Sequence, residues 1–253
     1  MIRLEHVIKN LGSRRVLDGV DLEIRKGETM VIVGPSGTGK SVTLKHMVRL
    51  MTPDEGRVIV DGEVVSEAAG AALEKIRNKF GVLFQSGALL EWLNVGENVA
   101  LPLREKTKLS EEEIQAKVVE KLAMVGLEKD TDKFPSEISG GMRKRVGLAR
   151  AIVTNPEIIL YDEPTSGLDP VSSRMIDRLI AHLRDQLGVT SVVVTHDLHS
   201  ALSIGTRIAM LTGGKVVELA EPAAFVKSQR EEVQQFLEAQ FITVRGEWEK
   251  HGL

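Results

Sequence analysis

The chain has 253 residues, of which 42% are hydrophobic and 27% are charged, as is ordinary for a folded globular protein. Its 33 basic and 36 acidic side chains give a formal net charge of −3, which argues against a dedicated nucleic-acid-binding protein. The absence of cysteine excludes disulfide scaffolds, zinc–thiolate sites and cysteine nucleophiles. The N-terminal residues lack the apolar run of a signal peptide. Uncharged stretches such as 29–39 are shorter than the roughly 18 residues that span a bilayer, so we expect no membrane span.

Strand patterns dominate the first sixty residues. Apolar and polar residues alternate from Ile2 to Leu4 and again from Val20 to Ile24, as in half-buried strands. Asp61-Gly62 between two apolar runs predicts a tight hairpin. Short continuous apolar runs, typical of parallel strands that are buried on both faces, occur at 29–33, 158–161 and 191–195.

Helical patterns follow from about residue 85 to 150. Ser110 and Glu113 form a predicted capping box, and the helix after them ends near Gly126. Another helix is predicted to begin at Asp169-Pro170 and to end at Gly188, and a further hairpin is predicted around Gly213-Gly214. These patterns predict an α/β core, about 1–85 and 151–222, which is interrupted by a helical lobe of about 86–150.

A C-terminal helical tail is predicted over 223–253. Its apolar residues at helical spacing are Val233, Phe236, Leu237 and Phe241, and Trp248 lies near the end. Two interpretations are open: the tail packs on its own domain, or it reaches a second protomer and secures a dimer.

A glycine-rich segment follows the predicted strand 29–33 and precedes a predicted helix. It fits the pattern G-x-x-x-x-G-K-[ST] and consists of Gly34, Pro35, Ser36, Gly37, Thr38, Gly39, Lys40 and Ser41, with Val42 next in the predicted site. Backbone N–H groups of such a loop point at phosphates, and the helix N-terminus adds partial positive charge. Lys40 is expected to reach the β- and γ-phosphates, and the Ser41 hydroxyl to ligate Mg²⁺. The segment predicts a nucleotide site.

Two further segments fit the same chemistry. Asp162 and Glu163 end a buried strand, where the first carboxylate can hold Mg²⁺ and the second can polarise an attacking water. Ser139-Gly140-Gly141 opens a helix and offers a hydroxyl and unobstructed N–H groups to a phosphate. One chain has no second nucleotide for this helix end, so we expect two chains to pair head to tail.

These motifs together resemble the ATP-binding subunits of ABC transporters over about residues 1–222. The resemblance implies a P-loop NTPase fold with a mixed parallel sheet, an N-terminal antiparallel β subdomain and an inserted helical lobe. It also implies Mg²⁺-dependent ATP hydrolysis. Gln85 resembles the residue that senses Mg²⁺ and water and links the site to the membrane partner. Asp169 resembles the residue that connects the two sites of the dimer, and His196 the switch that contacts the γ-phosphate.

Two departures from the family pattern affect the expected site. Met142 replaces the usual glutamine after Ser139-Gly140-Gly141, which removes a polar contact. The aromatic residue that usually stacks on adenine falls near Leu11, and residues 1–79 contain no tyrosine, phenylalanine or tryptophan. Adenine would then contact Leu11 and Val16, with weaker selection of the base.

The segment 86–103 borders the groove that, in this family, receives the coupling helix of the permease. Leu89, Leu90, Trp92 and Leu93 are predicted to offer an apolar docking surface there, although Leu89 and Leu93 could equally pack the helical lobe. This segment and the run from Ser139 to Arg145 look like those of MCE-linked lipid-transport ATPases of the Mla type. That branch implies a homodimer on the cytoplasmic face of the inner membrane, below an integral permease that works with an MCE-type lipid-binding protein.

Other functions remain open at this point. The same ATPase could serve a polar-solute importer or a lipoprotein-release complex, or act as a regulatory ATPase without transport. A small-molecule kinase would leave Ser139-Gly140-Gly141 and His196 unexplained. The basic run from Arg143 to Arg145 is interpreted as a solvated helix face, not as a nucleic-acid site.

Overall fold

The computed structural model describes residues 1–240 of the chain, which form both strands and helices. The tail residues Phe241 and Trp248 lie outside this part. The strands are β1 (Ile2–Leu11), β2 (Arg14–Ile24), β3 (Thr29–Val33), β4 (Glu55–Val60), β5 (Glu63–Val64), β6 (Phe80–Leu83), β7 (Ile158–Asp162), β8 (Thr190–Thr195), β9 (Arg207–Thr212) and β10 (Lys215–Ala220). The helices are α1 (Lys40–Met47), α2 (Gly70–Arg77), α3 (Val95–Lys106), α4 (Glu111–Met124), α5 (Gly140–Ile152), α6 (Pro170–Leu187), α7 (Leu198–Ile204), α8 (Pro222–Phe225) and α9 (Glu231–Glu238), with a short 3₁₀ turn at Pro135–Glu137.

The chain divides into two compact units. The first consists of Met1–Ala68 together with the residues from Val194 onward, and the second of Ala69–Val193. The division into a core of 1–85 and 151–222, a lobe of 86–150 and a tail stays a prediction. None of the helices within residues 1–240 is long and apolar enough to cross a membrane.

An antiparallel sheet forms the N-terminal part of the first unit, in the order β2-β1-β4-β5. β1 pairs with β2 and with β4, so that Ile2 lies opposite both Ile24 and Val60. The predicted hairpin between β4 and β5 is confirmed: Asp61 has φ 49° and Gly62 has φ 83°, as the favoured two-residue turn requires.

Three other strands of the first unit carry both kinds of pairing. β3 runs parallel to β9, and β9 runs antiparallel to β10 across the predicted Gly213-Gly214 turn. All five residues of β3 are buried. The predicted buried parallel strand is therefore confirmed, and its carboxyl end leads directly into the glycine-rich segment. In the same unit Val233 and Leu237 of α9 are buried, which agrees with a tail that packs on its own domain up to residue 240.

The second unit packs helices against a parallel strand pair. β6 and β7 run parallel, with Phe80 opposite Ile158, and β8 neighbours β7. Helix α5 approaches β6 so closely that a Cβ at Gly81 would lie 2.1 Å from the Ala151 carbonyl oxygen, so only glycine fits there. The capping box of α4 at Ser110 and Glu113 is confirmed. For α6, the Asp169 N-cap and the left-handed Gly188 at its end are confirmed as well.

Candidate nucleotide site

The glycine-rich segment forms a tight loop between β3 and α1. Gly34 has φ 149° and Gly39 has φ 103°, conformations that side chains with a Cβ rarely adopt. A Cβ at Gly34 would lie 2.1 Å from the Leu211 carbonyl oxygen, and one at Gly39 would lie 2.7 Å from a methyl carbon of Leu17. The chain therefore requires glycine at both positions, and the loop has the form of a phosphate cradle.

The Lys40 side chain is buried and folds back over the loop. Its ammonium donates to the carbonyl oxygens of Gly34 at 2.7 Å and Pro35 at 3.0 Å. The Thr38 hydroxyl also donates to Pro35 O, at 2.9 Å. Two donors therefore hold the carbonyl groups at the start of the loop, and the positive charge of Lys40 lies beside the backbone that a phosphate would approach.

Val16 and Leu11, the two predicted adenine contacts, lie in different surroundings. Val16 lies against the phosphate loop: a Cβ at Gly39 would lie 3.0 Å from its carbonyl oxygen and 3.1 Å from one of its methyl carbons. Leu11 is exposed and borders a hollow that is also lined by Lys9, Asn10 and residues 49–52. Val16 thus lies beside the phosphate loop, while Leu11 is exposed at this hollow.

Sequence reasoning missed Arg14 at this loop. Its guanidinium donates to Gly37 O at 3.0 Å, which adds a second cation to the phosphate loop. No sequence motif marks this residue, because an arginine at the start of an exposed strand is usually only a solvated charge.

His196 lies in a braced turn between β8 and α7. Its side chain is exposed, and Thr195 before it is buried. The Thr195 hydroxyl accepts from Asp197 N at 3.0 Å, and the Asp197 carboxylate accepts from Ser200 N at 3.1 Å as the N-cap of α7. Gln240, after α9, donates to His196 O at 2.5 Å and accepts from Leu198 N at 2.8 Å.

In the second unit, Asp162 is the last residue of β7 and Glu163 follows it directly. Glu163 has φ 49°, a left-handed conformation that costs a residue with a side chain about 1–2 kcal/mol. Lys144, buried in α5, donates from its ammonium to Glu163 O at 3.0 Å. Burial lowers the pKa of Lys144, and the negative charges of Glu163 and Asp162 partly offset this. The buried ammonium of Lys144 therefore holds the backbone at Glu163, next to the carboxylate pair.

Gln85 lies near the turn that follows this pair. Its amide donates to the Ser166 hydroxyl at 3.4 Å. The loop after Gln85 is fixed to α5 by Arg150, whose guanidinium donates to Gly87 O and to Ala88 O, each at 2.7 Å. Gly147 of α5 allows this approach, since a Cβ there would lie 3.1 Å from Gly87 O.

Residues 89–93 continue this loop and include the predicted docking residues. Trp92 is 73% exposed, whereas Leu89, Leu90 and Leu93 are half-buried. Asn98, fully buried in α3, holds the segment: its amide donates to the carbonyl oxygens of Leu90, Leu93 and Asn94 and accepts from Leu90 N. No sequence pattern marks this role, because a lone asparagine in an apolar helix usually indicates a polar face.

Ser139 caps α5, and its hydroxyl accepts from Met142 N at 3.3 Å. Gly140 and Gly141 begin the helix with room around them: a Cβ would lie 3.6 Å from Leu168 and 3.5 Å from Ser172, which are ordinary contacts. The fold of this chain therefore does not require glycine at either position.

Asp169 is the N-cap of α6, and its carboxylate accepts from Val171 N at 2.9 Å and Ser172 N at 3.0 Å. Hydrogen bonds from Ser172 lower the pKa of Asp169. One carboxylate oxygen of Asp169 thus accepts both hydrogen bonds from the first turn of α6.

The interpretation of Arg143, Lys144 and Arg145 as a solvated face is wrong. Lys144 is buried beneath Glu163, as described above. The Arg143 guanidinium donates to Ile138 O at 2.9 Å, and the Arg145 guanidinium donates to Val125 O at 2.9 Å. All three cations therefore donate to backbone carbonyl groups of segments that lie beside α5.

The comparisons with known proteins agree with this geometry. Residues 17–166, more than half of the chain, match the family model described as ABC transporter. The chain belongs to the ABC transporter family, as an ATP-binding subunit. It is 46% identical, over 95% of its length and 67% of the other protein, to the Mycobacterium tuberculosis protein named "Probable ribonucleotide transport ATP-binding protein mkl".

Two other matches cover more of the compared protein. The Escherichia coli protein named "Intermembrane phospholipid transport system ATP-binding protein MlaF" is 38% identical over 94% of this chain and 88% of its own. A solved dimer of an ATP-binding cassette, in a post-hydrolysis state with ADP and Pi, has a TM-score of 0.80 and 38% identity over 88% of this chain and 99% of its own. This ABC subunit is an ATPase with the predicted fold.

Proposed function

We propose that this ABC ATPase powers phospholipid transport through a separate membrane permease that works with an MCE-type lipid-binding protein. The observation that carries the proposal is the 38% identity to the phospholipid-transport ATP-binding proteins of Escherichia coli and Haemophilus influenzae. This identity extends over about nine-tenths of both compared chains, which includes the segment 86–103 that faces the permease in the family. The subunit would act on the cytoplasmic face of the inner membrane.

Movement of ribonucleotides is the second candidate. It is favoured by the higher identity, 46%, to the mycobacterial proteins that carry that name. We prefer phospholipid because the match to the phospholipid-transport proteins covers 88–91% of those chains, against 67% of the mycobacterial ones.

For hydrolysis, we propose for each predicted residue the role that the family resemblance implies. Gly34, Gly37 and Gly39 would present backbone N–H groups to the phosphates, and Lys40 would turn its ammonium from Gly34 O towards the β- and γ-phosphates. Glu163, held by Lys144, would accept a proton from the attacking water. His196 would contact the γ-phosphate, and Gln85 would sense the reacting water.

Mg²⁺ fits the donor set of this chain. The Ser41 hydroxyl and the Asp162 carboxylate are hard oxygen donors, and Mg²⁺ is commonly held by one or two such protein groups together with phosphates. Bound there, the ion would neutralise charge that develops on the phosphates.

A head-to-tail homodimer would complete each site. Ser139, Gly140 and Gly141 would offer their hydroxyl and N–H groups to the nucleotide of the other protomer, and Asp169 would connect the two sites. The open space around both glycines supports this arrangement, and so does the dimeric state of the solved cassette.

The permease would dock on Trp92 and the neighbouring leucines. Asn98 gives this segment a fixed backbone, so that the 73%-exposed indole is presented on a rigid support. A preordered aromatic anchor of this kind is typical of binding hot spots. Because Gln85 opens the same segment, docking and hydrolysis would communicate through one loop.

Capture from membranes tests this proposal. Tagged wild-type protein, Trp92→Ala and Val119→Ala would be purified from detergent-solubilised native membranes, and the bound proteins and lipids identified by mass spectrometry. Val119 is the matched control, because it is an exposed apolar residue on α4. We expect the wild type and Val119→Ala to recover a multi-span permease, an MCE protein and phospholipid, and Trp92→Ala to lose them. Recovery of a solute-binding protein without lipid would contradict the proposal.

A further inference from the structure

One amide group connects the end of α9 to the turn that carries His196. The Gln240 side chain donates from Nε2 to His196 O at 2.5 Å and accepts at Oε1 from Leu198 N at 2.8 Å. The first N–H groups of a helix have no partner within the helix, and Leu198 is the first residue of α7. Gln240 therefore satisfies an N–H group that α7 cannot satisfy, and in the same contact holds the carbonyl of the residue before the cap.

The two hydrogen bonds restrict how the His196 peptide can rotate. Thr195 accepts from Asp197 N, so the turn is held at this N–H by the buried strand and at His196 O by Gln240. These groups belong to the same peptide unit, which is planar. Fixing both its oxygen and its N–H fixes the ψ angle of His196, on which the direction of the imidazole depends.

Gln240 itself extends from a firmly seated helix. Val233 and Leu237 bury one face of α9. Before this helix, the Ser228 hydroxyl donates to the Glu218 carboxylate of β10 at 2.7 Å, and Arg230 pairs with the same carboxylate at 3.3 Å. The amide is thus anchored to the sheet and not to a free chain end.

We propose that Gln240 is a positioning residue for His196: its amide sets the orientation of the His196 backbone and thereby aims the imidazole at the γ-phosphate. The proposal rests on the role of His196 in ATP hydrolysis given above. A primary amide can donate to the carbonyl and accept from the N–H at once, because it carries both an NH₂ group and a carbonyl oxygen. Glutamate keeps the acceptor for Leu198 N but turns a negative oxygen towards His196 O.

The test combines exchange and kinetics on the full chain. Hydrogen exchange of peptides that cover 195–201 reads the contact itself: Gln240→Ala should speed exchange at Leu198, and Gln240→Glu should leave it protected. Gln235→Ala is the matched control, since that glutamine lies on α9, shortly before Gln240, and donates to Glu231 instead. Unchanged exchange in Gln240→Ala would overturn the proposal.

Steady-state ATP hydrolysis then separates positioning from general stability. Gln240→Ala and Gln240→Glu both lose the hydrogen bond to His196 O, and for both we expect kcat to fall about fivefold, as for the loss of one neutral hydrogen bond, with KM for ATP unchanged. Gln240→Ala also loses the hydrogen bond from Leu198 N, so its melting temperature should fall by about 2–4 °C, whereas that of Gln240→Glu should change less. In a His196→Ala background, Gln240→Glu should cause no further loss.

Three kinetic results would overturn the proposal that Gln240 positions His196. If Gln240→Glu hydrolyses ATP at the parent rate while His196→Ala is impaired, only the role of Gln240 fails. If Gln240→Glu lowers the residual rate of His196→Ala by the same factor as in the wild type, Gln240 acts elsewhere. If His196→Ala hydrolyses ATP at the parent rate, the role of His196 fails too, and the exchange data still report whether the contact exists.

Discussion

Replacing Lys144 by methionine removes the buried cation beneath Glu163 and leaves a side chain of similar length. Two contributions decide the result. The hydrogen bond from a charged donor to a buried carbonyl contributes about 1.5–3 kcal/mol. The left-handed conformation of Glu163 costs about 1–2 kcal/mol. The hydrogen bond therefore offsets the backbone strain, and without it Glu163 can relax to another conformation that points its carboxylate away from the attacking water.

The expected loss of hydrolysis follows from these numbers. Without the hydrogen bond, the strain of about 1–2 kcal/mol at Glu163 is unopposed. Since about 1.4 kcal/mol corresponds to a factor of ten, phosphate release at saturating Mg²⁺-ATP should fall about 5- to 30-fold in Lys144→Met. Folding should be affected much less. Desolvation lowers the pKa of Lys144, so burying this charge has a cost that methionine removes together with the hydrogen bond. We expect the melting temperature to change by about 3 °C or less.

Matched variants make the result decisive. Lys144→Arg keeps a cation and a donor and should retain more activity than Lys144→Met. Lys108→Met removes an exposed lysine of the same unit and should hydrolyse ATP like the wild type. If Lys144→Met also hydrolyses ATP at the wild-type rate with a normal melting temperature, Lys144 does not hold Glu163 in its active conformation and the reasoning is refuted.

Three other variants test separate parts of the site. Arg14→Ala removes the guanidinium that donates to Gly37 and should raise KM for ATP with little change in kcat, as measured by steady-state hydrolysis; an unchanged KM would show that this cation contributes no binding. Gly140→Ala should have the melting temperature of the wild type, because a Cβ fits there. It should nevertheless lose ATP-driven dimerisation in size-exclusion chromatography. Normal dimerisation would show that the second protomer does not approach Gly140. Asp169→Asn keeps a good N-cap but cannot ionise. The pKa of Asp169 is lowered, so its ionisation stabilises the fold above its ordinary pKa and this contribution disappears as the pH falls through the lowered value. The difference in the free energy of unfolding between wild type and Asp169→Asn should therefore become smaller below about pH 4. A difference that stays constant as the pH falls would contradict this.

Local signals in the sequence predicted the frame of the fold well. The hairpin at Asp61-Gly62, the Ser110 capping box and the helix from Asp169 to Gly188 all depend on residues a few positions apart, and all are confirmed. Turns and caps are set by short-range hydrogen bonds and by φ angles, so a few residues are enough to predict them.

Contacts between distant segments could not be predicted in this way. Periodicity does not tell which of three consecutive basic residues faces inward, so Lys144 was missed. Gln240 and His196 are 44 positions apart, and nothing in either neighbourhood predicts their contact. Arg14 contacts Gly37 across 23 positions for the same reason. These side chains meet only because strands and helices pack in three dimensions.

The most direct test of the proposed function is ATP-driven movement of phospholipid. Captured permease complexes with wild-type or Glu163→Gln subunits would be reconstituted into vesicles that contain labelled phospholipid and, separately, labelled ribonucleotide. We predict that Mg²⁺-ATP moves phospholipid with the wild-type subunit, that Glu163→Gln stops this movement, and that ribonucleotide does not move in either case. Movement of ribonucleotide that depends on Glu163, with phospholipid left in place, would contradict the proposed function.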